Sequence, residues 1–345
     1  MLTNRYKINP DHRATEPMQT RIEPCRPARP GEIPIIDLSR IRSGNLESLE
    51  RVARQVGDAC ERTGFFYVIN HGIPRSTIET TFTEGCRFFE SPEKIKAGLA
   101  YNDIHRGYKA QGTITIPGHP PDRKEVFDMG VDLPLDHIGV RESLPLHGPN
   151  QWPADSVFRA TMEGYFARVS ALGHALLPVF ATALGLETSF LDSFHRDPFI
   201  LWRIMRYPPG SGAPGQYGTA PHTDFGTMTL LAQDNSGGLQ LCLRDGEWVS
   251  APIVEDSFVI NIGDLMACWT NDRFTSTPHR VINDSGNDRY SIPMFFNPSF
   301  DTVAHCLPTC QDDDNPPRYQ PIVYGEYLTQ IYGRIYAPVD SHKVP

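Results

Sequence analysis

Thr277-Pro278-His279-Arg280-Val281-Ile282-Asn283-Asp284-Ser285-Gly286-Asn287-Asp288-Arg289-Tyr290-Ser291-Ile292-Pro293-Met294-Phe295-Phe296 is the stretch on which the fold turns. Two β-like runs, Thr277–Asn283 and Tyr290–Phe296, flank the turn-forming loop Asp284–Asp288. The spacing predicts a hairpin centred near Gly286. In that register His279 lies across from Pro293, and Arg289, Ser291 and Pro293 face the same side as His279. Arg289 then stands about 13 Å along the sheet from His279 in backbone terms. An Arg fork beside a hydroxyl suits a carboxylate, and a five-carbon diacid fills such a gap.

Working outward, the chain after residue 200 holds further short strand-like runs. They are Leu201–Tyr207, Thr227–Gln233, Leu239–Leu243, Trp248–Pro252 and Phe258–Ile262, with Asp245-Gly246 as a hairpin signal. So many short strands suggest a sandwich or barrel. Among them sits Pro221-His222-Thr223-Asp224. In a strand, alternate residues share a face, so His222 and Asp224 present an imidazole and a carboxylate to one point. With His279 they make the two-His, one-carboxylate facial set of non-haem Fe(II) sites. Zn²⁺ accepts the same ligands.

The first half is mostly helical. After a β-run at Ile33–Leu38, helical spacing covers Leu46–Thr63, Ser76–Phe89 and Asp155–Leu186, with a third start at Ser91–Lys94 and a buried strand at Phe65–Asn70. Residues 101–153 read as irregular, and a connection that long suggests a lid. Helical spacing returns over 319–336. Helices, then strands, then a helix point to helices packed around one β core. We therefore expect a polar N-terminal arm over 1–32, one domain over 33–336 and a short tail over 337–345. Within that domain, 33–200 is mostly helical and 201–300 is the β core.

Composition narrows the function classes. The 345 residues carry a formal charge of -9 without a basic stripe, which argues against nucleic acid as a partner. No run of about 18 consecutive apolar residues occurs, so no membrane span is expected. The 31 Pro and 28 Gly exceed a sixth of the chain and follow no period, so they read as turn residues. Seven cysteines, an odd number in a long chain, read as thiols, Cys306 and Cys310 included, and point with the absence of a secretory signal to the cytoplasm. His71 and His174 read as satisfied structural residues, and Asp312-Asp313-Asp314 as a solvated loop.

The pattern His222-x-Asp224, His279, Arg289-x-Ser291 resembles the 2-oxoglutarate/Fe(II)-dependent dioxygenase superfamily, and more narrowly its isopenicillin N synthase-like branch. Ile33–Leu38, Gly64–Ile73, Phe88-Phe89, Arg106-Gly107-Tyr108, Arg206–Pro209, Gly237–Gln240 and Asn261–Asp264 carry the resemblance, which covers about residues 33 to 336. It implies a mainly β fold with flanking α-helices, built on a double-stranded β-helix or jelly-roll core. It implies Fe(II) on His222, Asp224 and His279, 2-oxoglutarate as cosubstrate and O₂ as oxidant. The cosubstrate's distal carboxylate would meet Arg289, Ser291 and Tyr207. Met205 stands where the branch often has Asn, and Gly210 where Cys is frequent.

The activity so implied is hydroxylation, desaturation or cyclisation of a small molecule, with release of succinate and CO₂. Isopenicillin N synthase uses no 2-oxoglutarate, and ethylene-forming relatives fragment it, so both chemistries stay open. A non-catalytic sensor on the same fold is the reading from another class. Phe295 continues the parity of Ser291 and Pro293 and is a candidate substrate contact, as are Tyr108 and Phe127 in the irregular segment. A monomer or weak homodimer is expected.

Overall fold

The computed structural model describes residues 22, 25–41, 45–116, 118–210, 213 and 215–335. Most of the expected arm (residues 1–21, 23 and 24) and the tail lie outside the described residues. The strands are β1 (Arg26–Pro27), β2 (Ile35–Asp37), β3 (Phe65–Ile69), β4 (Gly107–Lys109), β5 (Glu125–Gly130), β6 (Pro198–Tyr207), β7 (Thr219–His222), β8 (Met228–Gln233), β9 (Leu239–Cys242), β10 (Trp248–Ser250), β11 (Ser257–Ile262), β12 (His279–Val281) and β13 (Arg289–Ser299). The helices are α1 (Leu46–Arg62), α2 (Arg75–Phe89), α3 (Glu93–Ala97), α4 (Ile138–Arg141), α5 (Ser156–Ala183), α6 (Asp264–Trp269) and α7 (Tyr324–Ile335).

Two sheets face each other. One has the order β1-β10-β9-β12-β7, the other β2-β3-β11-β8-β13-β6-β5-β4. From β6 to β13 the chain passes repeatedly between them, as a jelly roll does. Leu239, Leu241, Val249 and Val281 of the five-stranded sheet meet Val126, Met205, Tyr207, Leu231 and Val259 of the eight-stranded one. Alternate residues of the larger sheet, among them Phe127, Trp202, Ile204, Ile292, Met294 and Phe296, point the other way and pack on α1 and α5. The larger sheet is thus buried on both faces, which leaves its strands without a clean polar side.

The expected hairpin is not one. β12 pairs with β7 and β9, whereas β13 pairs with β6 and β8. The loop between them crosses from one sheet to the other. Asn283 fixes this crossing: its Nδ2 donates to the carbonyls of Tyr207 (2.8 Å), Pro208 (3.1 Å) and Asn287 (2.8 Å). Arg289 therefore faces His279 across the sandwich, not along one sheet. The segment read as irregular contains β4 and β5, and α6 follows β11 where no helix was expected.

Helix starts follow capping chemistry. Asn45 Oδ1 accepts from Glu47 N at the head of α1, and Asp155 Oδ1 from Val157 N at the head of α5. Gly64, with φ +62°, ends α1, and a Cβ there would lie 1.9 Å from the Thr275 carbonyl oxygen. By length and composition α5 would suffice to cross a membrane, but here Met162, Tyr165, Val169, Leu176 and Phe180 enter the shared core.

Candidate active site

His222 ends β7 and His279 begins β12, and the two are register partners with ring centroids 4.3 Å apart. Asp224 lies just past β7, so a turn delivers it, not strand alternation. Its Oδ1 is 3.8 Å from His222 Nε2 and 3.9 Å from His279 Nε2. All three ligand atoms fall within 4.8 Å of one another, a spacing that one metal ion can bridge.

The surroundings set each ligand's state. His222 Nδ1 is 2.9 Å from the Ala220 carbonyl oxygen, and His279 Nδ1 is 3.1 Å from that of Thr277. Each carbonyl accepts from Nδ1–H, which leaves an Nε2 lone pair for a metal. Burial, with His279 adding to it, pushes the His222 pKa down to about 3, so the ring is neutral near pH 7. Burial alone would raise the Asp224 carboxyl. The two imidazoles, with hydrogen bonds from Asn261 and Thr229, outweigh burial and hold it below its usual range. Thr229 Oγ1 (2.5 Å) and Asn261 Nδ2 (2.7 Å) both donate to Oδ2, which frees Oδ1. Two imidazoles that present Nε2 beside an oriented carboxylate fit Fe(II).

Arg289 and Ser291 lie on the inner face of β13. Arg289 is 1% exposed, and its Nε donates to the Gly237 carbonyl at 2.5 Å and its Nη2 to Gln233 Oε1 at 3.2 Å. Its Nη1 and the Ser291 Oγ are buried without a hydrogen-bond partner among the described residues. Two such donors side by side fit a carboxylate. Tyr207 stacks its ring 4.8 Å from the Arg289 guanidinium carbon. The Tyr207 hydroxyl accepts from Thr219 Oγ1 at 3.3 Å and points at Met205 Sδ, 3.3 Å away. Met205, in the position where Asn was noted as frequent, thus touches the same tyrosine.

The other candidates separate. Phe295 pairs in register with Thr229, which holds Asp224, so it stands beside the metal ligands. Tyr108 and Phe127 are register partners that turn toward the helices. Tyr108 donates to Glu125 Oε2 at 2.6 Å, and Phe127 packs 4.5 Å from Phe88. Both lie on the far face of the sheet from the triad, because the segment that was read as a lid contributes two strands, β4 and β5, to that sheet. Sequence reasoning assigned nothing to Asn261, Thr219 or Thr229. Only Asn261 carried a signal, through the Asn261-Ile262-Gly263-Asp264 stretch.

Family models match the chain in two parts: the "non-haem dioxygenase in morphine synthesis N-terminal" region over residues 33–155, and the "2OG-Fe(II) oxygenase superfamily" over residues 199–298. The chain belongs to the 2OG-Fe(II) oxygenase superfamily. A 2-oxoglutarate-Fe(II) type oxidoreductase of Emericella nidulans is 35% identical over 321 residues, 90% of this chain and 92% of that one. A full-length Neurospora crassa protein, solved in complex with alpha-KG and thymine, has a TM-score of 0.79 at 30% identity and covers 88% of this chain and 96% of that chain. The rice dioxygenase for auxin oxidation gives 0.69 at 26%, covering 88% and 95%. This member of the superfamily is an oxidoreductase that uses Fe(II) and 2-oxoglutarate, on a jelly-roll core.

Proposed function

We propose that this oxygenase couples oxidative decarboxylation of 2-oxoglutarate to the oxidation of a C–H bond in a small molecule. For hydroxylation, one oxygen atom of O₂ enters succinate and the other enters the product. Desaturation or ring closure sends that second atom to water. The observation that carries the reading is the pair of unpartnered buried donors, Arg289 Nη1 and Ser291 Oγ, inside the same sandwich as the His222–Asp224–His279 set.

His222, Asp224 and His279 would hold Fe(II), which when bound supplies the electrons that activate O₂. Arg289 and Ser291 would anchor the distal carboxylate of the cosubstrate, with Tyr207 packed against the guanidinium. Phe295 would line the wall beside the metal and help exclude water. Thymine in the Neurospora structure and auxin in the name of the rice enzyme support a small-molecule substrate. The seven cysteines, none of them in a disulfide, support a reducing compartment such as the cytoplasm. The apolar cluster that spans helices and sheet supports one working unit over residues 33–336.

The test uses purified protein with Fe(II) and 2-oxoglutarate. An anaerobic Fe(II)–2-oxoglutarate absorption band should form, and air should yield succinate. A protein that binds Fe(II), gives no band and makes no succinate with any added small molecule is an iron oxidase of the 2-oxoglutarate-independent kind. In that case Arg289 and Ser291 bind a substrate carboxylate instead.

A further inference from the structure

A chain of hydrogen-bond donors runs from the segment just ahead of β5 to the cosubstrate end of the sandwich. Asp122 and Lys124 stand at its head. Asp122 Oδ1 accepts from Ala220 N at 2.9 Å, and Arg123 N donates to the Tyr217 carbonyl at 2.8 Å, so this segment lies along β7. Lys124 Nζ is 3.0 Å from Asp122 Oδ2, and it donates to Thr219 Oγ1 at 3.0 Å. Thr219 Oγ1 is 3.3 Å from the Tyr207 hydroxyl, which in turn is 3.3 Å from Met205 Sδ. Asp122, Lys124, Thr219 and Tyr207 are all buried.

Counting hydrogens fixes the direction of the chain. An ammonium only donates, so Thr219 Oγ1 accepts from Lys124. The single hydroxyl hydrogen of Thr219 then goes to the Tyr207 oxygen. The single hydroxyl hydrogen of Tyr207 remains, and among the described residues only the Met205 thioether receives it. A thioether is a weak acceptor. Three donors in series thus end on a poor partner inside the protein, where a charged acceptor gains most. The chain ends at the cosubstrate anchor. Arg289 and Ser291 are the register partners of Tyr207 and Met205, and the Tyr207 ring packs on the Arg289 guanidinium. The Thr219–Tyr207 contact is longer than the usual O–H···O distance of about 2.7–2.8 Å, which leaves the tyrosine hydroxyl room to shift.

We propose that Lys124 and Thr219 are positioning residues of the cosubstrate site: they set the Tyr207 hydroxyl as a donor and turn it from Met205 onto the distal carboxylate of 2-oxoglutarate. This rests on the oxygenase reading above. The pair Asp122–Lys124 is neutral as a whole, so what it transmits is direction and not net charge. Without the ammonium, Thr219 can accept from Tyr207 instead, and the carboxylate loses that donor. Met205 releases the hydroxyl readily because sulfur holds it weakly.

The experiment titrates the full chain, loaded anaerobically with Fe(II), with 2-oxoglutarate, and reads Kd from the absorption band. Tyr207→Phe should raise Kd by about tenfold or more, the loss of one hydrogen bond to a charged group. Thr219→Val and Lys124→Met should each raise it by about threefold or more, while Thr219→Ser, which keeps the hydroxyl, should stay within about twofold of the parent. In a Tyr207→Phe background, adding Thr219→Val or Lys124→Met should change Kd by less than about twofold, because the donor they direct is gone. Chelator competition should show Fe(II) affinity within about twofold throughout. If Lys124→Met does not fold, the Thr219 variants decide. The inference is overturned if Tyr207→Phe leaves Kd unchanged, which means that the hydroxyl stays on Met205. It is overturned equally if Thr219→Val costs as much with Phe at 207 as with Tyr. Either result, with the band intact in the parent protein, removes this inference alone. If the parent forms no band, the oxygenase reading falls and takes the inference with it.

Discussion

Asp224 divides its two oxygens between tasks: Oδ2 takes the hydrogen bonds of Thr229 and Asn261, and Oδ1 faces the two imidazoles. Asn261→Ala removes one donor and lets the carboxylate rotate. We expect Fe(II) affinity to fall by about tenfold to a hundredfold. Competition with a chelator of known affinity measures this, and unchanged iron retention would show that Thr229 alone suffices. Arg289 is a separate case. Arg289→Ala should raise the 2-oxoglutarate Kd by about a hundredfold, because a charge-assisted, near-bidentate contact disappears. The Fe(II) affinity should stay within about twofold. Arg289→Lys keeps the charge without the fork and should fall between. An unaltered cosubstrate titration in the alanine variant would remove Arg289 from the anchor.

At the scale of elements, α5 and β13 meet at Gly173. A Cβ there would come 2.5 Å from Cδ2 of Phe296. That ring has no room to retreat, since His174 packs 5.0 Å and His195 5.6 Å away. Gly173→Ala should destabilise by about 1–3 kcal/mol despite better helix propensity. Gly164, on the same helix, has nothing within 4 Å of such a Cβ, so Gly164→Ala should stabilise by about 0.5–1 kcal/mol. Urea unfolding of both variants checks the opposite signs. This contact was not readable from the chain, because it joins residues far apart in sequence. The strands themselves were: β6, β8, β9, β11 and β13 fall on the expected runs, since β-branched and aromatic residues bounded by turns define them locally. What failed was pairing. A short polar loop such as Asp284–Asp288 serves equally for a hairpin or for a step between packed sheets, and the inward parity of Arg289 and Ser291 is the same either way. β5 escaped notice for a related reason. Its Glu125 and Asp128 point to opposite faces into buried ion pairs, which erases the apolar alternation.

The whole molecule joins helices and sheets through one apolar cluster, and His195 sits where they meet. It links the turn Phe190–Phe194 to β6, stacks on Phe296 with rings 10° apart, and is 1% exposed. Its Nδ1–H donates to the Leu191 carbonyl at 2.8 Å, while Nε2 is buried without a hydrogen-bond partner among the described residues. Burial, with the nearby His174 adding to it and the Leu191 carbonyl opposing it, pushes the pKa down to about 4. In the unfolded chain the same ring titrates near 6.5. Above about pH 6.5 both states are neutral and His195 adds no pH dependence. As pH falls from there toward 4, the unfolded state binds a proton that the folded state refuses, so stability drops. The loss approaches about 3 kcal/mol and levels off below the folded pKa. Urea unfolding at pH values from 7 to 4, in EDTA so that metal linkage plays no part, should show this acid limb. His195→Gln should flatten it by about one proton, whatever the variant's stability at pH 7. Parallel acid limbs in the two proteins would mean that His195 is protonated as readily folded as unfolded, and that the junction of helices and sheets is open to water.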